Sequence, residues 1–225
     1  MDIKFKGISS STFPGLVVLQ WGRRQKADKI YIDHGVLPGT SRALYEDTGE
    51  YKPYERTLEI LLKDQSLLPS VFKWLDGSGE LEIEEGGFYK ARVLTSDEKR
   101  EVREWDRHIV KFEVQPFFWI NSGKTTETLT SAGTVNNPGT LPSKPYIKVV
   151  GSGNITLNIG ANSYTLENVD EYIEIDSEGQ RVYKNTVNQG KKLKGGFPFL
   201  VPGNNNVSWT GNVTRVEIIG NWIEL

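Results

Sequence analysis

The chain contains no cysteine. Disulfides, thiol nucleophiles and thiolate metal sites are therefore excluded, and stability has to come from packing and assembly. The absence also fits folding in a reducing cytoplasm. Histidine is nearly as scarce. The two present, His34 and His108, do not stand at His-x-x-x-His spacing, so a transition-metal site would have to take most of its ligands from carboxylates. No block of like charge occurs, and a formal net charge of -2 offers no basic field of the kind that non-specific nucleic-acid binding needs. The longest apolar clusters, Gly15 to Leu19 and Pro116 to Ile120, fall far short of the roughly 20 residues that cross a bilayer as a helix. Residues 1–10 alternate apolar and polar side chains and lack the long apolar core of a secretion signal. A soluble protein without a targeting segment is expected, with neither membrane nor sequence-specific nucleic acid among its partners.

What the sequence has in quantity is short alternating runs. Ile3 and Phe5 share one parity, and Leu16 to Trp21, Lys29 to Ile32 and Tyr54 to Leu62 are each rich in β-branched or aromatic residues and bounded by Gly, Pro or charge. In the last of these Leu58, Ile60 and Leu62 alternate with Thr57 and Glu59, the pattern of a half-buried antiparallel strand. The exception is Ser66 to Leu75, where Leu68, Val71, Phe72 and Leu75 recur at helical spacing, with a serine at the start and Gly77 as a stop. Beyond this short helix, Gly79 to Ile83 and Phe88 to Leu94 read as a hairpin turning through Glu84-Glu85-Gly86-Gly87. His108 to Val114 follows, with Val110, Phe112 and Val114 inward, and closes on the aromatic cluster Phe117, Phe118 and Trp119.

Composition changes after Ile120. Asn121 to Gly139 is rich in Ser, Thr, Gly and Asn, and prolines follow closely. Pro138, Gly139 and Pro142 mark the expected interdomain linker, dividing the chain into residues 1–137 and 138–225. From Tyr146 onward only short alternating strands separated by turn residues are visible, which suggests a small sandwich without a helix. No fixed-period repeat is present, so any ring has to be built from several chains.

Several segments, in this order and spread over nearly the whole chain, resemble one family. They are Phe5-Lys6-Gly7-Ile8-Ser9-Ser10, Trp74-Leu75-Asp76-Gly77-Ser78-Gly79-Glu80-Leu81, Tyr89-Lys90-Ala91-Arg92-Val93 and Phe112-Glu113-Val114-Gln115-Pro116-Phe117. In the second half come Asn137-Pro138-Gly139-Thr140 with Ser143-Lys144-Pro145, and Gly151-Ser152-Gly153-Asn154-Ile155-Thr156-Leu157. The ending is the most specific piece: Phe197-Pro198 with Leu200, then Pro202-Gly203-Asn204-Asn205 and Val207-Ser208-Trp209-Thr210-Gly211. Together they resemble the distal tail proteins, often called Dit, of long-tailed phages that infect Gram-positive bacteria.

The resemblance implies a mainly β chain of two domains: an N-terminal β-sandwich or barrel-like domain with one short helix, and a C-terminal galectin-like β-sandwich. It implies a structural subunit rather than an enzyme, with no cofactor. It also implies a hexameric ring in the tail tip of the virion, assembled in the host cytoplasm, between the tail tube protein and a hub or fibre protein. Larger members carry inserted arms or carbohydrate-binding modules. This compact chain has no room for one, which points to a separate receptor-binding protein as reader of the cell surface. Phe117, Phe118 and Trp119, like the apolar run Leu16 to Leu19, are candidates for core or for the oligomer interface, which sequence does not separate.

Other constellations have plainer readings. Asp33-His34 and Asp106 with His108 can be combined with a serine into a triad on paper, but no nucleophile-elbow motif accompanies them. Glu80, Glu82, Glu84 and Glu85 could be a calcium site or a glycosidase pair. Their parity opposite Leu81 and Ile83 instead fits the solvent face of a strand. Tyr164, Tyr172, Tyr183, Trp209 and Trp222 could stack on sugars, which makes a carbohydrate-binding module for cell-wall saccharide the alternative function, against the reading of core packing. Gly151-Ser152-Gly153 and Gly195-Gly196 do not open helices and read as turns, and Lys191, Lys192 and Lys194 as a solvated loop tip.

Overall fold

The computed structural model describes residues 2–36, 38–100 and 106–225, with the backbone alone at 96–100 and 106. Strands take up 61% of it and helix 9%, as a mainly β sequence requires. The chain forms two compact units, residues 1–118 with residue 225, and residues 119–224.

The first unit contains β1 (Lys4–Phe5), β2 (Ile8–Ser9), β3 (Leu16–Trp21), β4 (Lys29–Val36), β5 (Ala43–Tyr51), β6 (Tyr54–Leu62), α1 (Leu68–Trp74), β7 (Ser78–Glu82), β8 (Gly87–Arg100) and most of β9 (Asp106–Ile120). Its main sheet runs β2-β1-β7-β8-β9-β6-β3, while among the described residues β4 and β5 pair only with each other. The register of β6 on β9 sets Leu58 against Val110 and Ile60 against His108. Period-2 alternation then turns Leu58, Ile60, Leu62, Val110, Phe112 and Val114 into the core beside Ile3 and Phe5. The expected hairpin forms as β7 and β8, with Leu81 opposite Tyr89.

The helix differs from its sequence pattern in two places. The capping side chain is Asp64, which accepts from the backbone N–H of Ser66 at 2.9 Å and so starts a short 3-10 turn ahead of α1. Phe72 lies outward, and Trp74 is buried instead, its indole N–H donating to the Phe5 carbonyl at 3.1 Å. An amphipathic tryptophan can be buried once its single donor is satisfied, and Val71, Trp74 and Leu75 fix the helix to the sheet.

The second unit holds β10 (Thr126–Leu129), β11 (Gly133–Asn137), β12 (Tyr146–Ile159), β13 (Asn162–Val169), β14 (Tyr172–Asp176), β15 (Arg181–Lys184), β16 (Val187–Asn188), β17 (Leu193–Lys194), β18 (Gly203–Ile219) and β19 (Ile223–Glu224). The long strands β12 and β18 organise it. Their first partnership, Tyr146 to Val150 on Arg215 to Ile219, also carries β14. Their second, Thr156 to Ile159 on Val207 to Thr210, also carries β13. Register shifts at Gly151 and between Ser152 and Thr156 separate the two, and bulges of this kind let one strand serve two layers. Ile147 and Val149 from one half and Ile155, Leu157 and Ile159 from the other join a single apolar core.

β10 and β11 pair with β18, so the Ser/Thr-rich stretch that composition assigns to the first domain lies in the second unit. The division at 118/119 therefore falls ahead of the expected boundary at 137/138. Small polar residues that read as linker serve here as outer strands with one face on the core, Val135 being fully buried.

Gly151 is the tightest point of the bend. A Cβ there would stand 2.2 Å from the Asn212 carbonyl oxygen and 3.0 Å from Val213 Cα. Gly151→Ala is expected to lower stability by about 1–3 kcal/mol through overpacking, while the exposed neighbour Ser152→Ala shifts it by less than about 0.5 kcal/mol. Urea denaturation of both variants checks this.

Candidate assembly surfaces

The best-defined polar cluster of the first unit is built around a buried cation. Arg56, on β6, is 3% exposed. Its Nε donates to the Gly22 carbonyl at 3.0 Å, and one terminal nitrogen donates to Glu84 Oε1 at 3.0 Å. Its guanidinium lies over the Tyr89 ring, 5.1 Å from the centroid. The Tyr89 hydroxyl donates to the same Glu84 oxygen at 3.3 Å, and Arg24 approaches the other oxygen at 3.6 Å. Glu84 is thus the counter-ion of a buried arginine, not a member of a solvent face. Alternation placed it with Glu80 and Glu82 because parity carries no information about a cation arriving from another strand. Burial, and then the Glu84 charge, push the Tyr89 hydroxyl up to about 12. Burial also raises Tyr54.

This cluster decides the fate of the aromatic candidates. Phe118 is buried, its ring 5.1 Å from that of Tyr89 and covered by the Arg24 guanidinium at 5.1 Å. Of the two readings open for it, core and interface, Phe118 takes the first within its own unit. Phe117 is half-buried, edge-on to Tyr51 at 5.6 Å, and Trp119 is half-buried as well. The run Leu16 to Leu19 divides: Val18 joins the core, whereas Val17 and Leu19 are exposed at 38% and 43%.

The largest apolar exposure lies elsewhere. β4 and β5 form a two-stranded arm in which Tyr31, Ile32, Val36, Leu44 and Tyr45 are 46–64% exposed. Sequence reading found the start of β4 but not β5, although Gly35, Pro38, Gly39 and Ser41 between two β-rich runs are the turn chemistry of a hairpin.

The remaining candidates resolve as follows. His34 Nε2 contacts Glu46 at 2.9 Å on the exposed arm, and the Asp33 carboxylate accepts from the Gly35 N–H. His108 is buried against Phe72, ring centroids 5.7 Å apart, and the Asp106 side chain lies outside the described residues. The structure brings no serine into hydrogen-bond contact with either histidine among the contacts observed. Among the described residues no group of three or more His, Asp or Glu side chains is placed to hold a metal, and no helix is long and apolar enough to cross a membrane.

Of the aromatic side chains weighed for sugar stacking, Tyr164 and Trp222 are buried in the core and Trp209 packs against it. Tyr172 is half-buried, with Lys148 Nζ over its ring at 4.4 Å. Lys192 Nζ is held by the Asn168 carbonyl at 2.8 Å. Gly151 sits at the strand bend, and Gly195 and Gly196 have positive φ in a turn. Pro138, Gly139 and Pro142 lie between β11 and β12, within the second unit. The Asn137 amide donates to the Leu141 and Leu200 carbonyls, its oxygen accepts from the Gly139 N–H, and Gly139 is packed against Ile223.

No protein-family model and no curated protein sequence matches the chain. Solved structures do. The crystal structure of SPP1 Dit (gp 19.1), described as a paradigm of the hub adsorption apparatus in phages infecting Gram-positive bacteria, superposes with a TM-score of 0.76 at 12% identity, covering 96% of this chain and 97% of that one. The chain has the SPP1 Dit fold. A chain of the phage P2 baseplate in its activated conformation with calcium also aligns, over 92% of this chain and 90% of that one, with a TM-score of 0.47 and 7% identity. The likeness to SPP1 Dit extends across both units, so the Dit fold is present nearly end to end.

The buried charge cluster yields two expected outcomes. Glu84→Gln leaves Arg56 buried without its counter-ion and is expected to cost about 3–5 kcal/mol, whereas the double replacement Arg56→Met with Glu84→Leu costs much less, because no charge is then stranded. Urea denaturation of the set checks both. Tyr89 has a raised value in the fold, so its contribution is intact below the ordinary tyrosine range near 10 and is lost as pH climbs towards about 12. Stability is expected to fall over that interval, and to fall less in Tyr89→Phe.

Proposed function

We propose that this protein is a structural subunit of a phage tail tip, assembling head to tail into a ring that connects the tail tube to the host-adsorption apparatus of the virion. The observation that carries the reading is the Dit fold over nearly the whole chain, shared with a protein described as an adsorption-apparatus hub. An assembly role asks for surfaces rather than a reaction centre. The polar groups that sequence offered for catalysis are here occupied by structural contacts, Glu84 by Arg56 and Asp33 by a turn.

Closed cyclic symmetry requires each copy to present two different complementary patches. The first unit presents two kinds of uncovered apolar surface, the arm and the edge strand β3, and supplies the ring contacts in this reading. The second unit takes the place of the outer, galectin-like sandwich. Six copies are the expected number, with the tail tube protein and the hub or fibre protein stacked on the two faces.

Negative-stain electron microscopy of the purified protein at high concentration tests this. Class averages with six-fold symmetry and an open centre are expected. Compact single particles at every concentration would count against self-assembly as the protein's function.

A further inference from the structure

Within the assembly reading, on which this inference rests, we propose that the β4–β5 arm of one copy adds as a strand to the free edge of β3 in the next copy. Three observations meet here. The first is that the arm has no fold of its own to lean on. Its two strands pair with each other and with no other strand among the described residues, and both of its faces are wet. An isolated two-stranded hairpin is marginal in water. The apolar exposure at Tyr31, Ile32, Val36, Leu44 and Tyr45 is what a covering partner would remove. With 8 residues in β4 and 9 in β5, the arm spans about 26–30 Å, enough to cross onto a neighbouring molecule.

The second observation is an acceptor. β3 ends the main sheet, paired on one side with β6, so its outer backbone groups have no strand partner among the described residues. Proteins guard such edges with charge, proline or bulges. β3 has a single irregularity, at Leu19, and that residue is itself apolar and exposed. No charged residue occurs anywhere from Gly7 to Gly22. The edge therefore carries no charge, and its one irregularity leaves the apolar side chains of Val17 and Leu19 exposed.

The third observation selects the occupant. Over residues 29–51 the arm carries Asp33, Glu46, Asp47 and Glu50 against Lys29 and Arg42, with Lys29 already paired to Asp47. The segment leaving the acceptor edge is basic instead, with exposed Arg23 and Lys26 against Asp28. An acidic arm and a basic-flanked edge on every copy are complementary to each other and not to themselves. That is the pairing a head-to-tail contact between copies needs.

The test uses the full chain and two variants whose changes lie on exposed residues. One removes the arm's apolar surface (Tyr31→Ser, Ile32→Ser and Tyr45→Ser together), and the other charges the edge (Val17→Lys with Leu19→Lys). Light scattering coupled to size exclusion reads the assembly state, and thermal unfolding confirms that each variant is folded. The wild type is expected to form the oligomer and each variant alone to stay monomeric, with self-association weakened on the order of 100-fold. Mixed together, the two variants are expected to stop at a 1:1 heterodimer, because each mixed pair retains one good arm and one good edge.

Variants that assemble like the wild type would overturn the proposal and hand the arm to a different tail protein, while leaving the ring reading intact. Because the chain is free of cysteine, a second measurement covers variants that fail to fold. Val17→Cys on one copy and Ile32→Cys on another are expected to cross-link under mild oxidation, beyond what either variant gives alone. A monomeric wild type with no such cross-link would overturn both the arm proposal and the ring.

Discussion

A β chain has to find a partner for the backbone N–H and C=O groups at every sheet edge, and without disulfides it has to do so by pairing and packing alone. The second unit meets much of this demand along its two longest strands. Its two longest strands bend, serve both halves of the sheet, and collect β10, β11, β13 and β14 along their sides. The first unit does not. Its sheet ends at β2 and β3, and β4 and β5 have no other strand neighbour among the described residues. In the proposed assembly, the first unit is the one completed by association.

The same logic explains why the buried Arg56 cluster sits where it does. Trp21 is the last residue of β3, and the Gly22 carbonyl just after it accepts from Arg56 Nε, which ties the exit of the edge strand to β6. Glu84, from the β7–β8 turn, neutralises the arginine, and Arg24, two residues past Gly22, completes the group over Phe118. Such a network adds little net stability but fixes geometry strictly, because any partner lost strands a charge. The segment leading from the edge strand to the arm is therefore held in place by charge, while the arm beyond it stays uncovered.

Much of the first unit was legible in the sequence. Alternation identified Leu58, Ile60 and Leu62, paired Ile3 with Phe5, and located the β7–β8 hairpin, because in a one-sided antiparallel strand period and burial report the same thing. It failed where a tertiary partner overrides parity. Glu84 turned from solvent to a buried arginine, and Phe72 and Trp74 exchanged roles once the indole found the Phe5 carbonyl. The arm escaped because both of its faces are exposed, so its pattern has no buried side to announce. In the second half, short polar strands at 126–137 read as linker, and Gly211, which has the look of a turn residue, lies inside one continuous 17-residue strand, β18. The glycine that looks like a turn is the bend that lets a single strand serve two layers. The resemblance carried by the scattered motifs reached further than periodicity did, since the Dit fold spans both units.

The central claim is that this chain completes its β structure by closing on copies of itself. Native mass spectrometry of the untagged protein across a concentration series tests it most directly. A single closed species of defined copy number, six, with no continuing ladder of larger forms, is the predicted result. A monomer that persists unchanged to the highest concentration would contradict the account.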